Sequence, residues 1–207
     1  MKNSVTGAAL CFLYGCLLII GLASCSLPKF TGAEPTSEPF SPYSLTWGDT
    51  SHPLQYEQAL RHLRAGRYAD AEAKYRQLTE LEPNNVNGYV GLGSSLQLQG
   101  HLDEAREAFE LALEISPNSV QAHIGLGSAY YRLGMFDEAR QQYDQAVTLE
   151  SNNLDALWGL SIALEALARP LEAADVWERI IQLHPQSDEA DWARSKLSEY
   201  SVELNVP

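Results

Sequence analysis

Cysteine is scarce and confined to one end: Cys11, Cys16 and Cys25 are the only three in 207 residues. The chain beyond them has no thiol for a disulfide, a metal or a nucleophile. Basic charge is short as well, with 14 Lys and Arg against 27 Asp and Glu, for a net charge of −13. So acidic a chain is repelled by phosphate backbones, which argues against nucleic acid as a partner. The five histidines, His52, His62, His101, His123 and His184, make no pair at ligand spacing, so no metal site is expected. No nucleophile-elbow motif is present. The pair Gly91 and Gly93 has the look of a phosphate loop, yet no strand-like segment precedes it, as such a loop requires. Without a catalytic constellation, the chain reads as a non-enzyme with no small-molecule substrate and no cofactor.

Long apolar runs are equally rare. The one example, Ala8 to Ala23, follows a short segment carrying Lys2 and ends in the small residues Ser24 and Cys25. This is the layout of a secretory leader, and it falls short of the roughly 20 apolar residues that a spanning helix needs. The tetrad Leu22-Ala23-Ser24-Cys25 resembles the bacterial lipobox. That resemblance implies a signal peptide over residues 1–24, cleavage before Cys25, and diacylglycerol and N-acyl lipid on Cys25. Ser26 follows the cysteine where an Asp would retain the protein at the inner membrane, so the resemblance implies an outer-membrane lipoprotein facing the periplasm. Each buried methylene of the anchor contributes about 0.8 kcal/mol. Residues 25–51 hold Pro28, Pro35, Pro39 and Pro42 among Ser, Thr and Gly, and read as a tether with a reach of roughly 30 Å.

From residue 52 the chain repeats itself every 34 residues. Gly66, Gly100, Gly134 and Ala168 form one column; Ala71, Ala105, Ala139 and Ala173 a second; Tyr75, Phe109, Tyr143 and Trp177 a third. Pro83-Asn84-Asn85, Pro117-Asn118-Ser119, Ser151-Asn152-Asn153 and Pro185-Gln186-Ser187 close the units. This pattern resembles the tetratricopeptide repeat, TPR. The expected fold is all-α, a solenoid of four helix-turn-helix repeats (52–85, 86–119, 120–153, 154–187), with a capping helix at 188–200 and a tail at 201–207. Asp103 and Asp137 stand near helix starts, where carboxylates suit the helix dipole. The glycine columns Gly91, Gly125, Gly159 and Gly93, Gly127 recur with the repeat, so close helix packing accounts for them better than a ligand does. Arg169-Pro170 replaces the usual turn, and a shifted turn is expected there.

In the family, the first helix of each repeat lines a concave surface on which peptides lie. By register, the resemblance places Tyr56, Val90, Ile124, Trp158 and Trp192 there, with Leu60 and Ile162 at the ninth position and Tyr131 at the twelfth. Ser94, Ser128, Gln97 and Glu165 occupy the same two rows, and Arg64 and Arg132 supply charge at the edge. Two readings of the fifth-position column stay open: a groove with apolar anchors for a partner, or self-packing in a tightly wound solenoid. Members that clamp a C-terminal carboxylate use Lys and Asn in this helix, which Tyr56, Val90 and Ile124 do not match.

Lipobox and repeats together are similar to tight-adherence (Flp-type) pilus assembly lipoproteins and to type IV pilus pilotins. The resemblance implies an outer-membrane TPR adaptor that binds a peptide segment of an envelope protein, such as a secretin or pilus component. An adaptor for peptidoglycan hydrolases is the alternative, and an envelope enzyme with an unrecognised site a third.

Overall fold

The computed structural model describes residues 51–203, with side chains from 51 to 200. Residues 1–50, where the leader, the lipidated Cys25 and most of the tether are expected, lie outside the described residues. Nine helices and no strands make up the described residues: α1 (Pro53–Arg64), α2 (Tyr68–Leu81), α3 (Val86–Gln99), α4 (Leu102–Ile115), α5 (Val120–Arg132), α6 (Phe136–Leu149), α7 (Leu154–Ala166), α8 (Pro170–Leu183) and α9 (Asp188–Glu203).

The odd-numbered helices from α3 onward begin at side-chain caps. Asn85, Ser119 and Asn153 accept hydrogen bonds from the backbone N–H groups of Asn87, Ala122 and Ala156, each cap worth about 1 kcal/mol. Ser187 does the same for Ala190 at the start of α9. The even-numbered helices have no side-chain cap and begin instead with a carboxylate in the first turn, Asp70 in α2, Asp103 in α4 and Asp137 in α6 among them. Between partners, Gly66, Gly100 and Gly134 turn the chain through the left-handed region at φ 71°, 85° and 77°.

The fourth turn departs from the expectation. α8 begins at Pro170, in register with α6, so the turn is not shifted. Pro170 sits at a helix start, where its missing N–H has no intrahelical partner to lose, and Ala168 takes the left-handed conformation itself, at φ 55°. That geometry costs an L-residue about 1–2 kcal/mol.

Every helix packs on its neighbours in sequence. In addition α1, α3, α5 and α7 lie side by side, whereas no even-numbered helix packs comparably on the next even-numbered one. A stack of helix pairs with one crowded layer and one splayed layer curves toward the crowded layer. The odd-numbered helices therefore form the inner layer.

Between the layers runs a ladder of rings. Tyr75, Phe109, Tyr143 and Trp177 of the even-numbered helices are fully buried. Phe109 fits between two odd helices that have no side chain in its way: a Cβ on Gly93 would stand 2.8 Å from its ring, and one on Gly125 2.3 Å. Tyr143 occupies the next rung against Gly127 and Gly159 in the same manner. The glycines thus make room for aromatic rings, one from the same repeat and one from the repeat before. On the last rung the corresponding positions are Ser161 and Ala193, both fully buried, with Trp177 buried in the same core.

Candidate functional site

The inner layer is where register places the expected binding residues. Tyr56, Leu60, Val90, Ile124 and Trp158 are all buried and belong to the hydrophobic core. For these five the expectation of a water-facing groove is corrected: the side-by-side packing of α1, α3, α5 and α7 makes their column part of the interior. Burial holds the Tyr56 hydroxyl well above the ordinary tyrosine range, reinforced by Glu82 and Tyr75, so it stays neutral.

The other five remain in reach of solvent. Ile162, Tyr131 and Trp192 are half-buried, and Arg64 and Arg132 are exposed. Tyr131 lies 5.3 Å from the ring of Phe136. Trp192 crosses the rings of Trp158 and Trp177 edge-on, at 4.7 and 5.7 Å, and so works mainly as the contact that seats α9 on α7 and α8. Lys196 of the same helix stands 5.3 Å from the Trp192 ring and pairs with Glu165 of α7 at 3.0 Å. Burial of its ammonium lowers its pKa and the bonds and charge of Glu165 and Glu199 raise it; the pairing prevails and the net shift is upward.

The polar residues of these rows, with Ser95 beside them, bond within the layer itself. Ser94 and Ser95 of α3 donate to the Val90 and Gly91 carbonyls one turn back, at 2.7 and 2.8 Å. Gln97 Nε2 donates to Ser128 Oγ at 2.6 Å, joining α3 to α5, and Arg132 donates to the Gln97 carbonyl at 2.6 Å. Gln97 is 1% exposed, and its Oε1 has no hydrogen-bond partner among the described residues. A buried acceptor left unmade costs about 1–3 kcal/mol. In the sequence they show as polar breaks in otherwise apolar register rows: Ser94 and Ser128 stand between Leu60 and Ile162, and Gln97 follows Leu63.

Three of the five histidines bond within the fold. His52 Nδ1 lies 2.6 Å from Glu82, His123 bridges Gln142 and the Pro117 carbonyl, and His184 reaches the Asn152 carbonyl. Among the described residues, no group of three or more His, Cys, Asp and Glu converges on a point that could hold a metal ion.

Stacked helix pairs with one crowded layer, closed by an unpaired terminal helix, define a class: the all-α superhelical repeat proteins that present surfaces to other proteins. The tetratricopeptide repeat profile matches residues 56–120 and 124–188, and a second profile of the same description matches 96–147. The chain belongs to the tetratricopeptide repeat family. The fold is shared with a thermophilic TPR protein of Thermus thermophilus, at a TM-score of 0.64, with 21% identity over 72% of this chain and 82% of that one. A MamA mutant matches at 0.60, with 22% identity over 73% and 87%. The first TPR domain of Spaghetti (RPAP3), bound to the HSP90 peptide SRMEEVD, matches at 0.54, with 23% identity over 56% and 91%. At these identities the likeness is one of fold. No curated protein matches the chain. Members of this family generally mediate protein–protein interaction, and the fold is typically a scaffold without catalysis.

Proposed function

We propose that the protein is a non-enzymatic, lipid-anchored adaptor of a bacterial envelope that holds a peptide segment of a partner protein on the inner layer of its solenoid. The observation that carries this reading is the junction of Leu22-Ala23-Ser24-Cys25 after an apolar leader with a tetratricopeptide solenoid behind a proline-rich tether. Lipid on Cys25 supplies the anchor, Ser26 favours the outer membrane, and the tether sets the solenoid off the periplasmic surface. A TPR domain of the same fold binds an HSP90 peptide, which supports peptide recognition here. The partner contacts are Tyr131, Ile162, Arg64 and Arg132, with Trp192 at the end of the row.

The setting we propose is the assembly of a pilus or secretion machine, with a secretin or pilus component as partner; this rests on the leader and the repeats alone. Replacing Cys25 with Ala in the native host tests the anchor: the protein should leave the membrane fraction in a carbonate wash, and its retention would refute lipidation. Crosslinking in the intact envelope, followed by identification of the captured chain, tests the setting. Capture of cell-wall hydrolases instead of a secretin or pilus component would overturn it.

A further inference from the structure

We infer that the edge of the solenoid at which the even-numbered helices end is a second docking surface, and that its partner is a basic amphipathic helix with an apolar residue at about every seventh position. This edge lies apart from the inner layer, so the inference stands or falls independently of the adaptor reading.

The first support is a row of apolar helix ends. α2, α4, α6 and α8 finish at Leu81, Ile115, Leu149 and Leu183, one large apolar residue per repeat. Leu81, Leu149 and Leu183 are 56%, 38% and 45% exposed, although the aromatic column on the same helices is fully buried. Ile115 is half-buried, and Leu111, one turn earlier on α4, is exposed beside it. A single exposed leucine is ordinary on a protein surface, but one at the same register position in successive stacked repeats makes a row.

Charge gives the second support and decides the partner. The even-numbered helices hold 14 Asp and Glu against five Lys and Arg, whereas α1, α3, α5 and α7 hold three of each. The last turns of α2, α4, α6 and α8 have no basic residue, although that is where Lys or Arg offsets the negative end of the helix dipole. Exposed Glu80 and Glu114 stand there instead, and exposed Glu150 caps α6. Arg179 and His184 reach the Ser151 and Asn152 carbonyls, so the negative field is strongest from α2 to α6. Such an edge repels a second copy of a chain of net charge −13, and anionic lipid likewise, but attracts a segment rich in Lys and Arg.

Spacing selects a helix. Packed neighbouring helices stand about 8–10 Å apart, and the splayed outer layer lies at or above the upper end of that range. An α-helix rises about 10.5 Å in seven residues and returns to nearly the same face. An apolar side chain at every seventh position therefore meets one helix end per repeat, and about 22 residues span all four. Cations on the flanks of that stripe face Glu80, Glu114 and Glu150.

The test uses the full chain purified in detergent and a labelled synthetic peptide of about 22 residues, with Leu at every seventh position among Lys and Ala. Fluorescence anisotropy should show binding that weakens as salt is added. An isomer with its leucines redistributed around the helix, and a version with Glu for each Lys, should each bind about tenfold more weakly or worse. The triple variant Leu81→Gln, Leu149→Gln, Leu183→Gln should lose about tenfold in affinity with its melting temperature unchanged. Glu114→Lys, which leaves the apolar row in place, should weaken the same peptide and flatten its salt dependence. Equal binding of the redistributed isomer would mean attraction by charge alone, and this or an undiminished affinity of the triple variant overturns the inference. Ile162→Asp on the inner layer should leave the affinity as it is; loss of binding there would put the peptide on the inner layer, overturning the docking edge while leaving the adaptor reading in place.

Discussion

The Tyr75 ring occupies the space where a side chain on Gly91 would begin, with Cε1 2.2 Å from the position of a Cβ. Gly91 is thereby bound to a ring in the preceding repeat, and the two repeats cannot close if either is changed freely. Alanine at Gly91 would gain about 1 kcal/mol of helix propensity and lose more to overpacking. The expected outcome of Gly91→Ala is a net loss of about 2 kcal/mol in urea unfolding. At Gly127 the Tyr143 ring stands back at 3.0 Å, and Gly127→Ala should change stability by less than about 1 kcal/mol. Equal stability of the two variants would refute the ladder.

Ala168 holds a turn that glycine holds in the other three repeats, at φ 55°. Ala168→Gly should stabilise the protein by about 1 kcal/mol, because the strain of an L-residue in the left-handed region is relieved. A lower melting temperature would mean that the Ala168 methyl contributes more than the strain costs.

Lys196 and Glu165 join α9 to α7 across two side chains that are each less than one-fifth exposed. The folded-state pKa of Lys196 is raised, so its contribution is complete below the unfolded lysine value and is lost as pH rises through the folded value. The melting temperature of the wild type should therefore fall in strong alkali. Lys196→Met should cost about 1 kcal/mol at neutral pH and remove that part of the alkaline fall. Parallel pH profiles of the two proteins would show that the pair contributes nothing.

Trp192 touches Trp158 and Trp177 together, and Tyr200 of the same helix adds a third contact, 5.5 Å from Trp177. Trp192→Ala should cost about 2–3 kcal/mol and raise amide hydrogen exchange in α9 and α8 before it does so in α1 to α4. Uniform acceleration along the whole chain would contradict a role at the end of the stack.

The repeat is legible in the sequence because its columns carry the packing. Tyr75, Phe109, Tyr143 and Trp177 recur at one spacing because every rung needs a ring, and Gly91, Gly125 and Gly159 recur because the ring of the preceding repeat needs room. What register cannot decide is exposure. Val90 and Ile124 stand in a row that register assigns to the concave surface, yet in the assembled stack, with odd-numbered helices side by side, both are buried. The fourth turn misleads for a local reason. Arg169-Pro170 looks like an obstacle in a string of residues, yet Pro170 falls on a helix start, and the strain is absorbed one residue away from the arginine, at Ala168. Gln97 is placed on the inner layer by register, but its burial and its bond to Ser128, 31 residues further along the chain, are not legible there.

Three of the four tryptophans of the chain, Trp158, Trp177 and Trp192, meet in one cluster at the last repeat, and residues 52–157 have none. Among the described residues, tryptophan therefore labels one end of the stack, and replacing Trp47 with Phe leaves that label alone. In a Trp47→Phe protein, tryptophan emission will report the melting of the last repeat and α9, while circular dichroism averages over every helix. A gap between the two transitions would measure directly how far the stack unravels from its end before the rest gives way.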